Sequence, residues 1–164
     1  MVPPDGTWRQ SGEHERRLLD SVLAPWLVAP VEHVGSTAVP GLAAKPILDL
    51  QAAVNDLDCA GDVAAALAPA GWHQVPPELD GRPWRRLLVK AEGDRRVAHL
   101  HLMWFAHARW REQLLFRDAL RADVELARRY AAVKLALAKQ HTYDREAYTA
   151  GKAAFIAAAL NEYR

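Results

Sequence analysis

Apolar residues recur along the chain with two different periods, and the switches between them divide it into elements. From Trp8 to about Leu23 the spacing is helical. Leu18, Val22 and Trp26 fall at i, i+4 and i+8 with Leu19 and Leu23 beside them, which predicts one apolar stripe facing the core. Pro25 and Pro30 end this helix. Residues 31–36 (VEHVGS) read as a short strand entering a Gly-Ser turn, and Pro40-Gly41 marks a further turn. Residues 46–54 (PILDLQAAV) form the clearest buried strand, an apolar run broken only by Asp49 and Gln51. A helix capped by Asp56 or Asp58 runs to about Leu67 and stops at Pro69-Ala70-Gly71.

Residues 82–90 and 96–104 read as two strands joined through Glu92-Gly93-Asp94, an antiparallel hairpin. In the second strand, Leu100, Leu102 and Trp104 are expected to point to the core. Beyond Trp104 the period is helical. Helices are expected at about 108–121, 123–140 and 144–161, with Asp123 and Asp144 as N-caps. In the middle one Leu126, Tyr130, Val133 and Leu137 make the apolar stripe.

This order predicts an α+β domain: a mixed sheet of about four or five strands packed by helices, with a helical C-terminal part. Strict strand–helix–strand alternation is absent, which argues against a doubly wound fold. Residues 1–7 (MVPPDGT) read as a loose leader to a single domain spanning 1–164.

Composition narrows the function classes. The 164 residues suit one compact domain, and a 51% hydrophobic fraction supports a real core. Net charge is +1, from 21 Lys and Arg against 20 Asp and Glu. That argues against extended nucleic-acid binding, which relies on many phosphate contacts. The single cysteine, Cys59, excludes an intramolecular disulfide and Cys-rich zinc modules, and is expected to be a small buried apolar group. No apolar run approaches the ~20 residues of a membrane span, and the N-terminus lacks the apolar core of a secretory signal. A cytoplasmic protein is expected.

The candidate chemistry centres on residues 32–51. A Gly-Ser turn after a strand can offer backbone N–H groups and hydroxyls to a phosphate. Gly35 lets the backbone approach closely, Ser36 and Thr37 add donors, and Lys45 adds a cation. The plain alternative is a turn and nothing more. Asp49 sits in an apolar run, where an ionised carboxylate is costly unless paired or metal-bound. Alternation puts Asp49 and Gln51 on one strand face and Leu48 and Leu50 on the other. Asp49 reads either as a divalent-cation ligand near a phosphate or as an acceptor of structural hydrogen bonds.

His99 and His101 alternate with Leu100 and Leu102, so both point to one face. They read as two metal ligands or as hydrogen-bonding residues in a polar cleft. Within the basic hairpin most charges are read as a solvated edge, with Arg85 or Arg86 the exceptions suited to phosphate. The six tryptophans read as packing residues, with Trp84 in the basic hairpin the exception suited to base stacking. Tyr130/Lys134 and Tyr148/Lys152 are i, i+4 pairs. Each pair could line a nucleotide cleft, or pack its Tyr at the core edge while its Lys extends to water.

Together, EHVGSTAVPGLAAKPILDL, HLHL, FRDALR, YAAVK and DREAYTAGKAAFI resemble the GrpB family, from about Trp8 to Ile156. That family is similar in fold to the polymerase-beta-type nucleotidyltransferases, in which a Gly-Ser turn binds triphosphate and strand carboxylates bind two divalent metals. The resemblance implies that Gly35 and Ser36 match the Gly-Ser element and Asp49 the first metal carboxylate. It implies a divalent cation, Mg²⁺ or Mn²⁺, with Zn²⁺ as the softer alternative, and a nucleotide or phosphorylated small molecule as partner. The candidate catalytic residues are Asp49 and Ser36. The candidate ligand-binding residues are Gly35, Ser36, Thr37, Lys45, Arg86, Lys134 and Lys152, and the candidate metal ligands are Asp49, His99 and His101.

The sequence departs from the family of active enzymes at two places. Gln51 stands where the second strand acid is expected, and His99 and His101 stand where a third carboxylate is expected. Two-metal phosphoryl transfer needs negative ligands. Three readings follow: a nucleotidyltransferase moving a nucleoside monophosphate from an NTP to an acceptor, an inactive nucleotide- or phosphometabolite-binding module, and a single-metal hydrolase using Asp49, His99 and His101.

Overall fold

The computed structural model describes residues 1–163. Its elements in chain order are α1 (Thr7–Leu23), β1 (Glu32–Val34), β2 (Leu48–Val54), α2 (Ala60–Leu67), β3 (Trp72–Gln74), α3 (Pro77–Asp80), β4 (Arg85–Glu92), β5 (Arg95–Trp104), α4 (Ala108–Ala122), α5 (Val124–Gln140) and α6 (Arg145–Glu162). The chain forms two compact units, Met1–Arg111 and a second beginning at Glu112.

The first unit is built on a five-stranded mixed sheet of order β1-β2-β5-β4-β3. Only β2 and β5 run parallel, pairing Asp49 with His99 and Gln51 with His101. The β4–β5 hairpin forms as the Gly93 turn predicts, with φ +62° at Gly93. Alternation then sorts the sheet into two chemically different faces. Leu48, Leu50, Ala52 and Val54 of β2, Leu88 of β4, and Ala98, Leu100 and Leu102 of β5 join Leu19 and Leu23 of α1 and Val63 and Leu67 of α2 in one buried cluster. Asp49, Gln51, Arg85, His99 and His101 occupy the opposite face.

Three expectations need correction. The buried face of α1 carries Trp8, Gly12, Leu19 and Leu23, whereas Leu18 and Val22 are 47% and 39% exposed. Leu19 and Leu23, read as flanking the stripe, are the leucines this helix buries, and on the same face stands Gly12, where a Cβ would collide with the His33 ring. Trp104, the last residue of β5, is 48% exposed rather than buried. Cys59 is half-buried, its Sγ donating to the Asp56 carbonyl at 3.1 Å. β3 is an addition: three residues are too few to show a period, but Trp72 anchors the strand in the core. At the other end of the chain order, Val2 exchanges backbone hydrogen bonds with Ala44.

The second unit carries most of α4, with α5 and α6. Asp123 and Asp144 cap α5 and α6 as read from the sequence, Asp123 accepting from the Glu125 and Leu126 amides. Phe116, Tyr130 and Phe155 pack together, with Tyr130 and Phe155 stacked at 5.4 Å. Among the described residues, no helix is long and apolar enough to cross a membrane.

Candidate functional site

Gly35 follows β1 with φ +72°, a conformation that favours glycine, and starts a 3-10 turn over Ser36–Ala38. β1 pairs with β2 so that Val34 lies opposite Asp49. The turn therefore stands against the Asp49 carboxyl group. A Cβ on Gly35 would lie 2.7 Å from Asp49 Oδ2. Gly35 is exposed and Ser36 half-buried, so the turn can be reached from solvent. Thr37 is buried and its hydroxyl bonds His33 Nε2 at 2.9 Å, so it serves the turn's own structure. Lys45 is exposed between Ala44 and Pro46.

The other oxygen of Asp49 meets the histidines. His101 Nε2 lies 3.2 Å and His99 Nδ1 3.6 Å from Oδ1. Burial alone would raise the Asp49 carboxyl, but hydrogen bonding from His101 and then His99 outweighs it and holds the group well below the usual carboxylate range. Burial pushes the His101 ring in the opposite direction to its acidic neighbour: it is lowered despite Asp49. His99 Nε2 is buried with no hydrogen-bond partner among the described residues.

Arg85 completes the group. Its NH1 lies 2.5 Å from His101 Nδ1, while Nε and NH2 bond the two oxygens of Asp80 at 3.0 and 2.5 Å. Burial would raise Asp80, and the Arg85 hydrogen bonds bring it below the usual range. Arg86, the next residue, turns to the other face and donates to the carbonyls of Pro83 and Arg85. Trp84 stacks on His107 at 5.6 Å, with the Arg109 guanidinium 5.0 Å from its ring centre.

Gln51 is fully buried one alternation along β2. Its Nε2 donates to the Trp110 carbonyl at 3.1 Å, and its Oε1 has no partner among the described residues. Gln51 thus ties the sheet to the first turn of α4. His101 is engaged at both nitrogens, by Arg85 and by Asp49. Among the described residues, no group of three His, Cys, Asp or Glu side chains is arranged to hold a metal ion. The structure brings Asp49, His99 and His101 together, His101 hydrogen-bonded to Oδ1 of Asp49 and His99 Nδ1 at 3.6 Å from the same oxygen.

Lys134 and Lys152 lie in the second unit. Each ammonium sits over the tyrosine four residues earlier, 5.1 Å from the Tyr130 ring and 4.7 Å from that of Tyr148. Lys134 is 3% exposed, against the reading in which it extends to water. Burial, with Lys152 nearby, pulls it down to about 8.

Sequence reasoning gave no role to Asp80, Gly12 or His33. Asp80 shows no signal because its partner is chosen by the fold. Arg85 could be separated from Arg86 by face, but only once the strand pairing with β5 is known.

A family profile described as GrpB protein matches residues 1–162. The chain belongs to the GrpB family. The UPF0157 protein SCO7215 of Streptomyces coelicolor is 41% identical over 155 residues, covering 94% of this chain and 78% of that protein. The crystal structure of the conserved protein GrpB from Enterococcus faecalis superposes with a TM-score of 0.82 at 28% identity, covering 99% of this chain and 98% of that one. Cid1 in complex with the UTP analogue UMPNPP gives a TM-score of 0.62 at 15% identity, covering 92% of this chain but 48% of Cid1. The GrpB family fold seen here, a mixed sheet with a helical C-terminal part, is nucleotidyltransferase-like.

Proposed function

We propose that the chain binds a nucleoside triphosphate at the Gly35-Ser36 turn beside Asp49 and transfers its nucleoside monophosphate to an acceptor. One observation carries the reading. The exposed glycine turn and a carboxylate held ionised are in direct contact. Backbone N–H groups of the turn and the Ser36 hydroxyl would hold phosphate oxygens. In the transfer, an acceptor oxygen bonds the α-phosphorus, the bond from that phosphorus to the bridging oxygen breaks, and pyrophosphate leaves.

The donor set suits one divalent cation rather than two. Asp49 is the residue that would hold it, with phosphate oxygens completing the shell, and the cation would neutralise phosphate charge. An oxygen donor, with His101 engaged at both nitrogens, favours Mg²⁺ or Mn²⁺ over Zn²⁺.

Gln51 supports a second reading, a nucleotide-binding module without transfer. Its amide holds the Trp110 carbonyl where a second acid would be needed. Thermal shift with the four NTPs and Mg²⁺ or Mn²⁺, on wild type and Asp49→Ala, tests the site. A ligand at 100 times its Kd stabilises by roughly 2.7 kcal/mol. A metal-dependent shift lost in Asp49→Ala is expected, and no shift with any NTP would overturn both readings. Pyrophosphate release in the presence of candidate acceptors separates transfer from binding alone.

A further inference from the structure

Asp80, Arg85, His101 and Asp49 form one unbroken polar chain across α3, β4, β5 and β2. We infer that Arg85 is a positioning residue, which holds His101 as its Nε2–H tautomer and so fixes Oδ1 of Asp49, leaving Oδ2 toward the Gly35 turn.

The argument begins with donor inventory. A guanidinium has five N–H donors and no acceptor. With NH1 2.5 Å from Nδ1, that nitrogen must offer its lone pair. The single proton of a neutral imidazole then lies on Nε2, which faces Asp49 Oδ1 at 3.2 Å. A carboxylate neighbour alone places a proton on Nε2 but leaves Nδ1 open, because it accepts from a neutral ring and from an imidazolium alike. Arg85 removes that choice by placing a cation and a donor against Nδ1.

Arg85 can do this because Asp80 grips the other side of its fork. Two bonds to Asp80 leave NH1 aimed at the ring, and the Arg85 and Asp80 side chains are both enclosed. Arg85 pairs with Met103 across the hairpin, and His101 pairs with Leu87, so the contact is diagonal. Spanning it takes a long side chain with a planar fork, which lysine lacks.

The tautomer is independent of any ligand. Only the last step, that an ordered Asp49 serves a ligand at Oδ2, rests on the proposed nucleotide reading. The test is long-range ¹H–¹⁵N NMR of the histidine rings without ligand at one neutral pH, with the His101 signals identified by their loss in His101→Gln. Wild type is expected to show a protonated Nε2 and a bare, pyridine-like Nδ1. Arg85→Met is expected to lose that pattern. Because Arg85→Met leaves Asp80 buried and unpaired, the double variant Asp80→Leu/Arg85→Met provides a charge-balanced second measurement. A protonated Nδ1 in wild type, or an unchanged pattern in the double variant, would overturn the inference.

Titration of Mn²⁺ with ATP then reads the last step. Outer-shell partners of metal-holding groups are worth about 10–100-fold in affinity, and at least a tenfold weakening is expected in the double variant. Unchanged affinity beside a changed ring pattern would overturn that step. Absence of binding in wild type would remove the nucleotide reading, and with it that step, while the ring pattern still decides the role of Arg85.

Discussion

Gly35 and Asp49 are in contact where a methyl group would not fit: an added Cβ would sit 2.7 Å from Oδ2. The backbone there, at φ +72°, is also one that other residues rarely adopt. Gly35→Ala should therefore lower stability by about 1–3 kcal/mol, measured by chemical denaturation. It should also abolish any nucleotide-dependent thermal shift, because the turn and the carboxylate must separate. A variant that keeps both would show that the turn can move away without consequence.

Gln51→Glu tests whether the missing acid can simply be restored. The new carboxylate would face the Trp110 carbonyl, two acceptors with no proton between them. The variant should lose about 1–3 kcal/mol at neutral pH, or more if the charge stays. Its folded-state carboxyl would be raised above the unfolded value near 4.3. The deficit therefore grows as pH rises through the raised value and shrinks as pH falls toward the unfolded one. Denaturation at pH 4.5 and pH 7.5 distinguishes this from a site that gains a metal ligand and activity.

Asp49 should shape the acid limb of stability. Its folded carboxyl is held well below the unfolded value near 3.9. Its contribution is present above the unfolded value and is lost as pH falls toward the folded one. Asp49→Asn should lack that portion of the loss below about pH 4, while Asp80 and Glu13, also lowered, act equally in both proteins. Parallel acid titrations of stability for the two proteins provide the comparison. Identical curves would mean the histidines do not favour the ionised form.

Lys134 gives the opposite limb. Its folded value is pulled down to about 8 from 10.5. The unfolded chain binds more protons between those values, so stability should rise with pH across that window. Lys134→Met should be more stable than wild type at pH 7, by on the order of 2 kcal/mol. The advantage should fade as pH approaches 10.5. Urea denaturation at pH 7 and pH 10 reads the difference.

The five longer helices, the hairpin and the β2 core strand were legible because each repeats its period over enough residues, whereas the four-residue α3 was not read. The 46–54 run, for instance, shows both its apolar face and the two polar residues that break it. The Asp123 and Asp144 caps were legible because capping is local. The three residues of β3 and the exposed Leu18 and Val22 were not. A period needs length, and which edge of a wide apolar stripe is buried depends on what the helix docks on. The same division runs through the site. Alternation alone puts Asp49 with Gln51, and His99 with His101, each pair on one strand face. It cannot say that β2 and β5 are parallel neighbours, and that pairing is what turns both histidines to one oxygen of Asp49.

What the sequence by itself determined is the alphabet of the site: a glycine turn, one acid, one amide and two histidines, each fixed to a face by the two-residue repeat of a strand. Which lone pair meets which proton was decided only by the tertiary structure. Strand order and register set Arg85 diagonally beside His101 and Gln51 under Trp110, and hydrogen bonds act over about 3 Å while these partners lie 16 and 59 residues apart.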